Sequence, residues 1–229
     1  MGAQTTDSLI RALAAEFRVL SLGGIAIIAT GLSRNTYGTD IWLDPLGSAE
    51  DWARKLWPLI SGCGDARPVA MGSWRTIAPG ELAGVIERDH VLRIAGLDRP
   101  LDIFREPNQL AVDGFDEVWE RAQPMDDGTR LPDPIDLLVS KQETGRDKDR
   151  ADIIFLEGKI EADYLARLPA ASFPEAEAML ARFLTPRIAE QAMDHTHPAV
   201  QDLGRGFLNE LAAEGDPFAA EILRRRSEG

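Results

Sequence analysis

Three groups of residues in this chain have types and spacings suited to phosphate and metal chemistry. The first is Gly23-Gly24, set between the apolar stretch Arg18–Ser21 and the apolar run Ile25–Thr30. Glycines let a backbone come close to a ligand, and a helix start offers unpaired N–H groups to phosphate oxygens. A plain turn is the alternative for such a pair. The second group is Arg34-Asn35-Thr36-Tyr37-Gly38-Thr39-Asp40-Ile41-Trp42-Leu43-Asp44, where an Arg and a Thr precede a strand that carries Asp40. The third is Asp102 within Leu101-Asp102-Ile103-Phe104, a carboxylate in an apolar strand that burial without a partner would penalise. If the two strands are neighbours, Asp40 and Asp102 share a face and can hold Mg²⁺ against the triphosphate of an NTP. A salt bridge from Asp102 to Arg99 or Arg105, and a turn-capping role for Asp40, are the structural alternatives.

The elements that must position these residues can be read from periodicity and caps. A first helix, capped at Thr6 or Asp7, ends near Phe17, and the strand Arg18–Ser21 runs into the glycine pair. A strand over Asp40–Asp44 is followed by an amphipathic helix over Ser48–Ser61. Ala70–Ile77 reads as extended, Gly80–Glu87 as a helix entered through Pro79, and Val91–Ala95 and Leu101–Phe104 as strands around a turn at Gly96–Pro100. Gly114–Ala122, Pro134–Gln142 and Asp147–Ile160 read as helices, with a short extended piece at Arg130–Pro132. Beyond residue 160 the strand signals stop. Ala162–Leu168, Pro174–Leu184, Thr185–Ala192 and Phe207–Arg225 all read as helices. The expected organisation is an α/β (α+β) domain over 1–160, with a mixed sheet flanked by helices, and a helical region over 161–229.

Composition limits the partners. The chain has 229 residues, 25 basic and 38 acidic, giving a net charge of −13. Extended nucleic-acid binding needs clustered cations, so this balance argues against it. One cysteine, Cys63, excludes an internal disulfide framework and fits a reducing cytoplasm. The longest apolar run is far short of the ~20 residues that span a bilayer, and the start lacks a basic segment ahead of an apolar one. His195-x-His197 lacks structural-zinc spacing and reads as loop histidines. Trp42, Trp57 and Trp74 read as core.

In order, these segments resemble the nucleotidyltransferase superfamily of the DNA polymerase β type, in its AbiEii-type toxin and aminoglycoside-nucleotidyltransferase-like branch. Gly23-Gly24-Ile25-Ala26, Arg34-x-Thr36 and Asp40-Ile41-Trp42-Leu43 match one part of its pattern. Leu137-Leu138-Val139-Ser140-Lys141 and Gly145-Arg146-Asp147-Lys148-Asp149-Arg150-Ala151-Asp152 match a second. The resemblance covers roughly Arg18 to Leu156. It implies transfer of an NMP from an NTP to an acceptor hydroxyl on a small molecule or an RNA end, with release of pyrophosphate. It further implies Mg²⁺ on Asp40 and Asp102, catalytic Asp40, Asp102 and Lys141, and nucleotide contacts from Gly23, Gly24, Arg34, Thr36, Arg146 and Asp149. Asp149 and Asp152 would orient Lys141 or Arg146.

One departure stands out: the first Asp of the family's Asp-x-Asp pair falls on Gly38. Asp44 cannot replace it, since four residues of strand span about 13 Å. The alternative reading is therefore a non-catalytic nucleotide-binding or regulatory protein of a toxin–antitoxin or defence pair, with a homodimer or an antitoxin as partner.

Overall fold

The computed structural model describes residues 5–45, 47–107, 110, 114–142 and 147–228. The protein is mixed α/β, with a seven-stranded mixed sheet followed by a helical region. It divides into two compact units, 1–153 and 154–229.

The first unit begins with α1 (Thr6–Glu16), capped one residue earlier than the sequence suggests, because the Thr5 hydroxyl accepts from the Ser8 N–H in a capping box. Then follow β1 (Val19–Leu22), α2 (Gly23–Ala29), β2 (Thr39–Leu43), α3 (Ala49–Ser61), β3 (Arg67–Val69), α4 (Leu82–Asp89), β4 (Val91–Ala95) and β5 (Leu101–Phe104). α5 (Phe115–Arg121), β6 (Gln123–Pro124), β7 (Arg130–Leu131), α6 (Pro134–Lys141) and the start of α7 (Asp147–Arg167) complete it. The sheet order is β3-β4-β5-β2-β1-β7-β6, with β2 antiparallel to β1 and parallel to β5.

Side chains alternate across a strand, so each strand splits its residues between two faces. Ile41, Leu43, Leu92, Ile94, Leu101 and Ile103 point to one face and form a core with Leu9, Leu13, Trp52 and Leu56 from α1 and α3. Asp40, Asp102 and Arg93 therefore share the other face. On that face Trp42 is fully buried against Phe115, edge to face at 4.9 Å, and its Nε1 donates to the Arg105 carbonyl.

The segment expected to be extended over Ala70–Ile77 is a turn instead. Gly72 and Trp74 both have positive φ, +80° and +59°, and the Trp74 N–H bonds to the Ala70 carbonyl. Only the Val69–Thr76 bridge remains strand-like there.

The second unit continues α7 and adds α8 (Phe173–Arg182), α9 (Pro186–Ala192), α10 (Pro198–Ala213) and α11 (Pro217–Glu228). The α7 helix runs through residue 160 without a break. The single helix expected over Phe207–Arg225 is divided, because Gly215 at φ +95° ends α10 and the Asp216 carboxylate caps α11 ahead of Pro217. His195 lies in the loop between α9 and α10, as expected, and is buried there. Its Nδ1 accepts from the His197 N–H, so Nε2 carries the proton and donates to the Ala171 carbonyl at 3.0 Å.

The α9–α10 crossing needs Gly204. A Cβ at that position would lie 2.5 Å from the Ala189 carbonyl oxygen and 2.9 Å from the Ala192 Cβ. Gly204→Ala is expected to destabilise this unit by about 1–3 kcal/mol through overpacking, despite the better helix propensity of Ala. Thermal denaturation of the full chain measures this, and an unchanged melting temperature contradicts the close crossing. Among the described residues no helix is long and apolar enough to cross a membrane.

Candidate functional site

Register places the sequence candidates side by side. Asp40 on β2 pairs with Asp102 on β5, and Asp102 pairs with Arg93 on β4. Adjacent strands lie about 4.8 Å apart, so the three side chains form a row across one face. Asp102 is clasped at both oxygens: Arg93 Nε donates to Oδ1 at 2.7 Å and Nη2 to Oδ2 at 2.5 Å. The partner is Arg93, rather than Arg99 or Arg105. The clasp raises the Arg93 guanidinium above its ordinary value, chiefly through the hydrogen bond to Asp102. Burial offsets part of this, and the charge of Asp40 adds to it. The row ends at the exposed indole of Trp74, which stacks over Arg93 with the guanidinium carbon 5.2 Å from the ring centre.

The two glycines are needed by the protein's own side chains. At Gly23, with φ +60°, a Cβ would overlap the Asp40 carboxylate. At Gly24 a Cβ would sit 2.5 Å from Thr36 Oγ1 and 3.1 Å from Arg34 Nη2. Thr36 in turn donates to the Gly38 carbonyl at 3.2 Å. The pair thus sits beneath Asp40 on one side and beneath Arg34 and Thr36 on the other.

Arg34 leads to a second cluster. Its Nη1 pairs with Asp152 Oδ1. Lys141 Nζ, at the end of α6, lies 3.1 Å from Asp149 Oδ1 and 3.3 Å from Asp152 Oδ2, the latter an ion-pair contact without hydrogen-bond geometry. Asp149 and Asp152 are three apart on the first turns of α7, so both face α6. Lys141, Asp149 and Asp152 are all buried. Two cations and two carboxylates neutralise one another in this knot. Gly145 and Arg146 lie outside the described residues, as does the Lys148 side chain.

The donor set does not fit a pair of Mg²⁺ ions. Asp102 spends both oxygens on Arg93, and Gly38 supplies no carboxylate. Among the described residues no group of three or more His, Cys, Asp and Glu side chains is placed to hold a metal. Burial pushes the Cys63 thiol up, which keeps it an inert core residue.

Sequence reasoning missed two participants. Arg93 carried a signal, since a hairpin closing between Ala95 and Leu101 sets it opposite Asp102. Trp74 carried none: an aromatic in an apolar-looking segment reads as core, and only the left-handed turn exposes it. The chain matches no protein-family profile, and no curated protein matches it.

Proposed function

We propose that this protein is a non-catalytic, regulatory relative of the nucleotidyltransferases, which keeps the geometry of their site and has neutralised its charges internally. One observation carries this reading: the charged groups that transfer chemistry would use are paired with one another. Arg93 closes Asp102, Asp152 closes Arg34, and Asp149 and Asp152 close Lys141. A triphosphate approaching this face would meet Asp40 beside an Asp102 whose two oxygens Arg93 holds, and Lys141 and Arg34 are already paired with carboxylates.

The competing reading is a working metal-dependent transferase acting on an NTP and an acceptor hydroxyl. One observation favours it: Asp40 and Asp102 are register neighbours on one face, as a metal pair requires.

Incubation with each α-labelled NTP and Mg²⁺ separates the two. The regulatory reading expects no pyrophosphate release and no magnesium-dependent heat of NTP binding by calorimetry. Label transfer, or magnesium-dependent binding lost in Asp40→Ala, would falsify it.

A further inference from the structure

The helical unit 154–229 carries an apolar groove between two of its own helices. A groove of about 700 Å³ runs between α8 and α10. Its floor and walls are Leu180, Leu184, Leu203 and Phe207, and Leu203 is 43 % exposed. Its rim is Glu177, Asp202 and Glu210, all exposed; Arg205, one turn along α10, lies 3.8 Å from the Asp202 carboxylate, and no Lys or Arg lines the groove itself. Leu203, Phe207 and Glu210 recur at helical spacing along one stripe of α10, so this wall of the groove runs along the helix axis.

Gly206 adds to the depth of the groove. It lies inside α10 and lines the groove, and a Cβ built on it would meet nothing within 4 Å. Gly204 packs against α9, whereas Gly206 is exposed and lines the groove. Its missing side chain gives a visiting backbone room to approach.

We infer that this groove is a docking site for an amphipathic helix of a basic partner protein, with its apolar face on Leu203 and Phe207 and its Lys or Arg residues at the acidic rim. Charge complementarity selects the occupant. A second copy laid groove to groove would set Glu177, Asp202 and Glu210 against themselves, on a chain of net charge −13. The inference stands apart from the reading of the sheet site, since it uses only residues of the helical unit.

The test uses the full chain and a labelled 16-residue helical peptide, with Leu at positions i, i+3, i+4 and i+7 of each repeat and Lys elsewhere. Two controls are a scrambled peptide of the same composition and a Leu/Glu peptide of the same pattern. Fluorescence anisotropy is expected to show saturable binding of the Leu/Lys helix alone. Leu203→Gln leaves the charge unchanged and is expected to weaken binding by about tenfold or more. Gly206→Leu fills the groove and is expected to weaken binding as much while the melting temperature holds or rises. Glu177→Lys/Glu210→Lys is expected to weaken it too. Equal binding of the scrambled peptide, or full affinity in Gly206→Leu, overturns the inference. A stable dimer by sedimentation that Leu203→Gln abolishes overturns it in favour of a second copy.

Discussion

Lys141→Met is expected to lower the stability of the unit 1–153 by about 3–5 kcal/mol, the usual cost of removing one partner from a buried ion pair. Lys141 faces two carboxylates, Asp149 and Asp152, both fully buried. Without the ammonium, Asp149 loses the cation 3.1 Å from its Oδ1, and Asp152 keeps its pair with Arg34. The melting temperature is expected to fall by about 6–20 °C, taking roughly 2–4 °C per kcal/mol for a chain of this size.

The companion variant decides what that loss means. Lys141→Met/Asp149→Leu removes a cation and an anion together and leaves the Arg34–Asp152 pair in place. Replacing both members of a buried pair by apolar groups is often close to neutral. Most of the lost stability is therefore expected to return. A double-mutant cycle with no coupling between positions 141 and 149 would remove the knot from the account. This result also bears on function, because a lysine held by two aspartates is a structural group here. Any activity lost on its mutation has therefore to be compared with the folded fraction of the variant.

The second large effect is a gain. Gly38→Asp/Arg93→Met is expected to bind Mg²⁺ at least about tenfold more tightly than the wild type. Replacing Arg93 frees both oxygens of Asp102. A side chain at position 38 has room, since a Cβ there meets only the Pro100 carbonyl oxygen, at 3.6 Å. The double change adds one negative charge two residues from Asp40 and removes the positive charge that holds Asp102, so both act on a divalent ion at this face from roughly 8 Å or less. Each such charge is worth on the order of 4 kcal/mol at an effective dielectric near 20. That comfortably exceeds the 1.4 kcal/mol that corresponds to tenfold in affinity. Calorimetry with MgCl₂ measures it, with circular dichroism as the folding control. If the double variant binds Mg²⁺ no better than the wild type, the Arg93 clasp and Gly38 are not what keeps metal from this face.

Much of the scaffold was legible in the order of the residues. The strands Val91–Ala95 and Leu101–Phe104 and the helix after Ser48 follow from alternation, a turn and a cap, all signals within a few residues of one another. The closeness of Asp40 and Asp102 was conditional on strand pairing, and the β2–β5 register supplies it. Local signals also misled. Gly215 and Pro217 end a helix that composition alone would continue, and Gly72 with Trp74 turns a segment that reads as extended.

Sequence by itself determined the mixed α/β class, the helical character of the last third and the presence of one glycine pair, two carboxylates and one lysine in a suggestive order. Tertiary structure decided how those groups spend their charge. Arg93 reaches Asp102 from a neighbouring strand, Arg34 reaches Asp152 from 118 residues away, and Lys141 meets Asp149 where α6 and α7 pack. A carboxylate's chemistry depends on the cation and the solvent around it, and both are set by contacts between segments that the chain order keeps apart.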